Sequence, residues 1–306
     1  MTTRQVKTTN KVIGKMKASE AIEYMTLVGD PRAPKAKTAL RNAGQDVALY
    51  KVKWPWPKKD DLIFRIREHQ YGYFGVDADD PKDVLDISDA GYIPADNTLK
   101  NRQLRVTLDR LRVADYPGKG EHTVLVEFSA AHVIPGAPKE DLSFSQKYQV
   151  SEDSSAGVRG YPVFVGLAVG KEGIALRGRT VNVENAGDKG ILKFLEQPVL
   201  KRGLELLNAV NPAMPVVTSM VTGITELVLK RDENIMVQYF DLGLDFSNVP
   251  SRAYLREGSY IVVQAPDKDW DWSKWQFTRS TGKITHKDTG APIPYNYLVI
   301  GVSKMA

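Results

Sequence analysis

The segment APDKDWDWSKWQF, residues 265–277, sets Asp267, Asp269 and Asp271 on alternate positions beside Trp270, Trp272 and Trp275. Carboxylates spaced in this way converge on a hard cation such as calcium when the loop carrying them curls. The tryptophans have two other uses. Exposed, they would stack on a sugar, a lipid headgroup or a partner's side chain. Buried, they would seal one end of a packed sheet. A Trp carries roughly 200 Å² of surface and leaving several in water is costly, so at least one is expected inside. The segment is a binding candidate, with closure of the core expected ahead of calcium.

Other chemistry is sparse. The chain holds no G-x-S-x-G elbow, no H-E-x-x-H and no Walker A loop. The nearest approach, GLAVGKE at 166–172, has three residues between its glycines and Glu172 where a hydroxyl should meet magnesium. It reads as a turn. The histidines, His69, His122, His132 and His286, form no i, i+4 pair. Absence of cysteine excludes a disulfide framework, a thiolate zinc site and a thiol nucleophile. A non-enzymatic role is therefore expected, with an enzyme of dispersed residues as an alternative. The D-x-D at 77–79 opens like an EF-hand loop, but Lys82 stands where the turn glycine belongs and Ser88 replaces the bidentate glutamate. An acidic surface linker is the expectation there.

Charge is placed unevenly. The net charge is +5, yet residues 1–60 hold 13 Lys/Arg against 5 Asp/Glu, so the excess sits at the N-terminus. Such a bias attracts nucleic acid, anionic membrane or an acidic protein surface, and it equally serves as a solvated face. Neither an apolar leader segment nor a run of about 18 apolar residues is present, which points to a cytoplasmic protein.

The elements that must position these residues change character along the chain. Residues 1–45 read as short helices, with Asp30 and Pro31 opening the second and Gly44 closing it. DVALYKVKW and LIFRIRE follow as a hairpin whose polar face carries Lys51, Lys53, Arg65 and Arg67. From residue 102 strand patterns dominate. QLRVTLDRLRV, HTVLVEFSA, SFSQKYQV, YPVFVGLAV and GIALRGRTVNVEN are separated by turn-forming stretches. Residues 189–231 turn to helical spacing, as a helix pair joined near 208–212. Burial against a sheet is its expected fate; insertion into a membrane, as in a pore-forming subunit, is the rival. Strands return in ENIMVQYFDLGLDF, GSYIVVQAP, WQFTRSTGKITH and PYNYLVIGVSK.

Two of these segments resemble C2-type β-sandwich domains. LRVTLDRLRVADYPGKGEHTVLVEF is strand, loop and strand with a D-x-x-G at Asp115, and YIVVQAPDKDWDW is a later strand followed by D-x-D. The resemblance implies that both loops lie at one end of the sandwich and that Asp115, Asp267, Asp269 and Asp271 ligate calcium.

The expected fold is mainly β (α+β): an antiparallel β-sandwich over 97–306 with the helix pair inserted, after an N-terminal helical and hairpin region, 1–96. The expected role is an interaction or assembly module that binds a protein or other macromolecule, with oligomer formation open. Lys51, Lys53, Arg65, Arg67, Trp270, Trp272 and Trp275 are the candidate contacts. A calcium-assisted, membrane-binding C2-like protein is the alternative that uses the aspartates.

Overall fold

In the computed structural model, residues 63–75, 81–118, 120–132, 140–184, 188, 192, 204–205, 225–226, 228–230, 234–247, 253–266 and 270–305 are described, with seven residues before them. The chain divides into two compact units, Met1–Leu62 and Ile63–Ala306. Those seven, Ser19, Ile22, Thr26, Ala33, Pro34, Lys37 and Thr38, belong to the first unit and are helical. Lys51, Lys53 and the first strand of the expected hairpin lie outside the described residues. Residues 63–96, grouped by sequence with the N-terminal region, belong to the second unit.

The second unit is mostly β. Its strands are β1 Gln70–Phe74, β2 Val84–Asp86, β3 Ser88–Asp89, β4 Gln103–Val113, β5 Glu121–His132, β6 Glu140–Ser151, β7 Ser154–Ser155 and β8 Tyr161–Ala168. They continue as β9 Gly173–Asn182, β10 Leu204–Glu205, β11 Ile235–Asp245, β12 Gly258–Val263, β13 Trp275–Thr278, β14 Lys283–His286 and β15 Tyr297–Lys304. An eight-stranded sheet runs β10-β8-β4-β15-β12-β1-β3, with β7 joined to β4. A four-stranded sheet runs β11-β9-β5-β6 and a three-stranded one β14-β13-β2. Among the described strands every pairing is antiparallel except β10 with β8, and one isolated bridge, Asp245 with Tyr254, is also parallel.

The alternating pattern of each strand tells which face it buries. Val106 and Leu108 of β4, Tyr260 and Val262 of β12, and Leu298 and Ile300 of β15 enter one cluster. Val126 and Phe128 of β5, Leu176 of β9 and Leu242 of β11 enter the same cluster, so one core draws on both larger sheets. The intervening residues of β12 and of the first half of β15 are buried as well. Ile261, Val263 and Val299 pack with Trp272, Trp275, Leu85 and Ile284. Burial on both faces explains the unbroken apolar runs YIVV and YLVI in β12 and β15.

A β-bulge interrupts β4. Leu108 pairs with Ile300 and Arg110 with Val299, so Asp109 is the extra residue. The bulge accounts for the sequence spacing, in which buried Leu104, Val106 and Leu108 give way to Leu111 after three positions instead of two.

Three expected elements differ. Residues 63–65 of the hairpin's second strand form a 3-10 turn, with Phe64 packed against the core; the alternation there was too short to fix a strand. The supposed acidic linker contains β2 and β3, with Asp86 exposed between buried Leu85 and Ile87; Asp77, Asp79 and Asp80 lie outside the described residues. Leu204–Glu205, inside the expected helix pair, pairs with Phe164 and Val165 along the free edge of β8. Elsewhere in 189–231, Leu192, Thr225, Glu226, Val228 and Leu229 are helical, and the pair as a whole lies outside the described residues. Leu192 and Val228 pack on Leu125, Val181 and Val183, the outward face of the four-stranded sheet. Beside them Arg179 holds Glu127 at 2.9 Å and Glu226 at 2.9 Å, the first pair almost fully enclosed. Among the described residues no helix is long and apolar enough to cross a membrane.

Candidate functional site

The loop after β4 and the segment after β12 meet at one end of the eight-stranded sheet, because β15 pairs with both strands there. Asn296, fully buried just before β15, ties them. Its Oδ1 accepts from the N–H groups of Ala114 at 2.7 Å and Asp115 at 3.0 Å. Its Nδ2 donates to the Asp115 carbonyl at 2.8 Å and to Gln264 Oε1 at 3.0 Å. Gln264 Nε2 donates onward to the carbonyls of Ile66, at 2.7 Å, and Val237, at 2.8 Å. A short way along β11, Gln238 Nε2 reaches the Tyr116 hydroxyl, which donates to Thr180 Oγ1 at 2.8 Å. These buried amides cross-link the strand ends, and of their side-chain polar atoms Gln238 Oε1 is the one left without a hydrogen bond.

The four aspartates fare differently. Asp115 is half-buried, and its carboxylate accepts the Phe64 N–H at 3.4 Å; burial pushes its pKa up. Asp271 caps the 3-10 turn Trp272–Lys274, accepting from the Ser273 hydroxyl at 2.6 Å and N–H at 3.0 Å. Those bonds hold its carboxyl below the usual carboxylate range. Asp267 and Asp269 lie outside the described residues. Among the described residues no three His, Asp or Glu gather where a metal could be held.

The tryptophans form one aromatic stack. Trp270 lies parallel to Trp275, ring centres 5.3 Å apart, and meets Trp272 and Tyr295 edge-on. Trp272 and Trp275 are buried and only Trp270 is partly exposed, so the stack closes the face of the eight-stranded sheet. Trp272 lies directly over Gly72 of β1: a methyl group there would be 2.7 Å from the indole. Arg65 and Arg67 are exposed, and Arg65 sits 5.7 Å over the Phe64 ring.

Two of the histidines are interior. His69 packs on Phe240 and burial lowers its pKa to about 4; His122 is enclosed beside Tyr116. Neither is surface-accessible as it stands. The GLAVGKE segment spans the end of β8 and the turn into β9.

Sequence reasoning missed the most exposed aromatic among the described residues. Tyr92, 88 % exposed, projects from the loop after β3. The residues that follow it, Ile93 and Pro94, line an open groove of about 340 Å³ together with Tyr73, Phe74, Ser88 and Arg256, Tyr92 itself standing outside the lining. Arg256 is anchored by a bond to the Pro94 carbonyl at 3.4 Å, and Tyr73 by one to the Glu257 carbonyl at 2.5 Å. The only local signal was a Gly-Tyr-Ile-Pro turn, which fixes a loop but not what it displays. The chain matches no protein-family model, no curated protein and no solved structure.

Proposed function

We propose that the chain is a β-sandwich interaction module that binds another macromolecule without catalysing a reaction, and that the Tyr92 groove is its principal contact. Tyr92 carries this reading: a tyrosine left 88 % exposed, on a loop braced by Arg256, beside a groove with aromatic and aliphatic walls. Interfaces concentrate their binding energy on Tyr and Arg anchors of this kind. The basic residues Arg65 and Arg67 supply a second, charged contact on the same unit. Affinity capture with the full-length tagged chain tests the reading. Tyr92→Ala and Arg256→Ala should each cut recovery of the partner severalfold while leaving the melting temperature within about 2 °C, because both side chains lie on the surface. Equal recovery by wild type and both variants would remove the groove from the account.

The calcium-assisted, C2-like reading is supported by one observation: the loops after β4 and β12 are tied at the same end by Asn296. In that reading Asp267 and Asp269 would be the principal ligands with Asp115, while Asp271 shapes the loop as a cap. Melting in calcium against chelator, together with co-sedimentation on anionic vesicles, tests it. No calcium-dependent change in either measurement would eliminate it.

A further inference from the structure

The β4 bulge turns Arg110 toward the β13–β14 turn, where a second arginine meets it. Pairing of Arg110 with Val299, whose side chain packs in the outer cluster, sets both on the outward face of the sheet. The turn, residues 279–282, ends in Gly282, which is buried and has φ +62°. A methyl group built on Gly282 would lie 2.8 Å from Arg110 Nη2 and 3.6 Å from Arg159 Nη2, so both guanidinium tips address one spot. Arg159 reaches it from the bend before β8, and Lys283 follows the glycine with its side chain exposed.

Half-buried Arg110 and exposed Arg159 together favour an anion. The nearby carboxylates take their hydrogen bonds from neutral donors, with Arg279 also close enough to Asp83 to lower its pKa. Asp109 accepts from Thr107 Oγ1 at 2.7 Å. Asp83 accepts from the Ser280 N–H at 2.7 Å and hydroxyl at 2.8 Å. Arg110 also lies near the neutral Tyr297 hydroxyl, which does not offset its charge. Among the described residues neither Arg110 nor Arg159 makes an ion pair. Guanidinium pairs of this kind match the oxygens of a phosphate through paired, charge-assisted hydrogen bonds. Bulges recur where a strand must re-aim a side chain toward a ligand.

We propose that Arg110 and Arg159, gathered over Gly282, form a binding site for a phosphate group carried by a small phosphomonoester or a lipid headgroup. The site is separate from the Tyr92 groove and does not depend on it.

The test titrates the full-length chain with inorganic phosphate by calorimetry at constant ionic strength. In parallel the chain is sedimented with phosphatidylcholine vesicles, with and without a phosphoinositide monophosphate. Arg110→Gln with Arg159→Gln should weaken phosphate binding at least tenfold, and Arg105→Gln, an exposed arginine elsewhere on β4, should leave it unchanged. Circular dichroism of the double variant confirms that it folds. Phosphate binding with sedimentation on phosphoinositide vesicles, both lost in the double variant, assigns a lipid source. Phosphate binding alone assigns a soluble ligand. No saturable phosphate binding by the wild type, or equal weakening by Arg105→Gln, overturns the proposal.

Discussion

Asn296 grips Asp115 by both sides of its peptide: Oδ1 accepts the Asp115 N–H at 3.0 Å and Nδ2 donates to the Asp115 carbonyl at 2.8 Å. One side chain thereby continues strand-like pairing past the end of β4, where the backbone leaves the ladder. The same amide binds Ala114 and Gln264, so its removal would strand several buried polar groups at once. Asn296→Ala should destabilise the fold by about 2–4 kcal/mol, given the cost of unpaired buried donors and acceptors. Chemical denaturation measures it. A loss below about 0.5 kcal/mol, the level of an ordinary surface substitution, would show that these bonds are dispensable.

His69 predicts an acid sensitivity. Burial lowers its pKa from 6.5 to about 4, so the folded state holds the neutral ring while the unfolded chain protonates it first. The folded form therefore binds fewer protons below pH 6.5, and stability falls as pH drops from 6.5 toward 4. The loss from this group is roughly 3 kcal/mol across that window and is absent above it. Denaturation at pH 7 and pH 4.5 should show that His69→Phe reduces the pH dependence by a large part of this amount. An unaltered slope would mean that His69 is solvated.

Gly72 should tolerate no side chain. A methyl group there would meet the Trp272 ring at 2.7 Å. Gly72→Ala is expected to cost about 1–3 kcal/mol through overpacking, and to blue- or red-shift the tryptophan emission as the stack is displaced. Restoration of stability by Gly72→Ala with Trp272→Phe, relative to Trp272→Phe alone, would confirm the contact. Strictly additive losses would refute it.

Much of the β architecture could be read from alternation alone, because most strands are long and face a core on at least one side. Even the β4 bulge left its mark in the Leu108-to-Leu111 spacing. β1 left none. Its five residues, QYGYF, are centred on a glycine whose reason is Trp272, two hundred positions away in the chain. Loop behaviour was similarly obscured. The spacing of the tryptophans at 270–275 left both a binding surface and core closure open, with at least one expected inside, and two of the three are buried; Tyr92 looked ordinary and stands in the open. Exposure is set by which elements pack above a residue, and spacing along the chain does not report that. The arginine pair over Gly282 joins three segments far apart in sequence, so only the fold could assemble it.

Photo-crosslinking at position 92 shows whether a partner docks against Tyr92. A benzophenone amino acid replaces Tyr92 in the otherwise intact chain and, as a control, exposed Ile235 in a second chain. A discrete adduct with one macromolecular partner is expected from position 92, absent from position 235 and lost when Arg256→Ala is added. Equal labelling from both positions, or an adduct indifferent to Arg256→Ala, would contradict it.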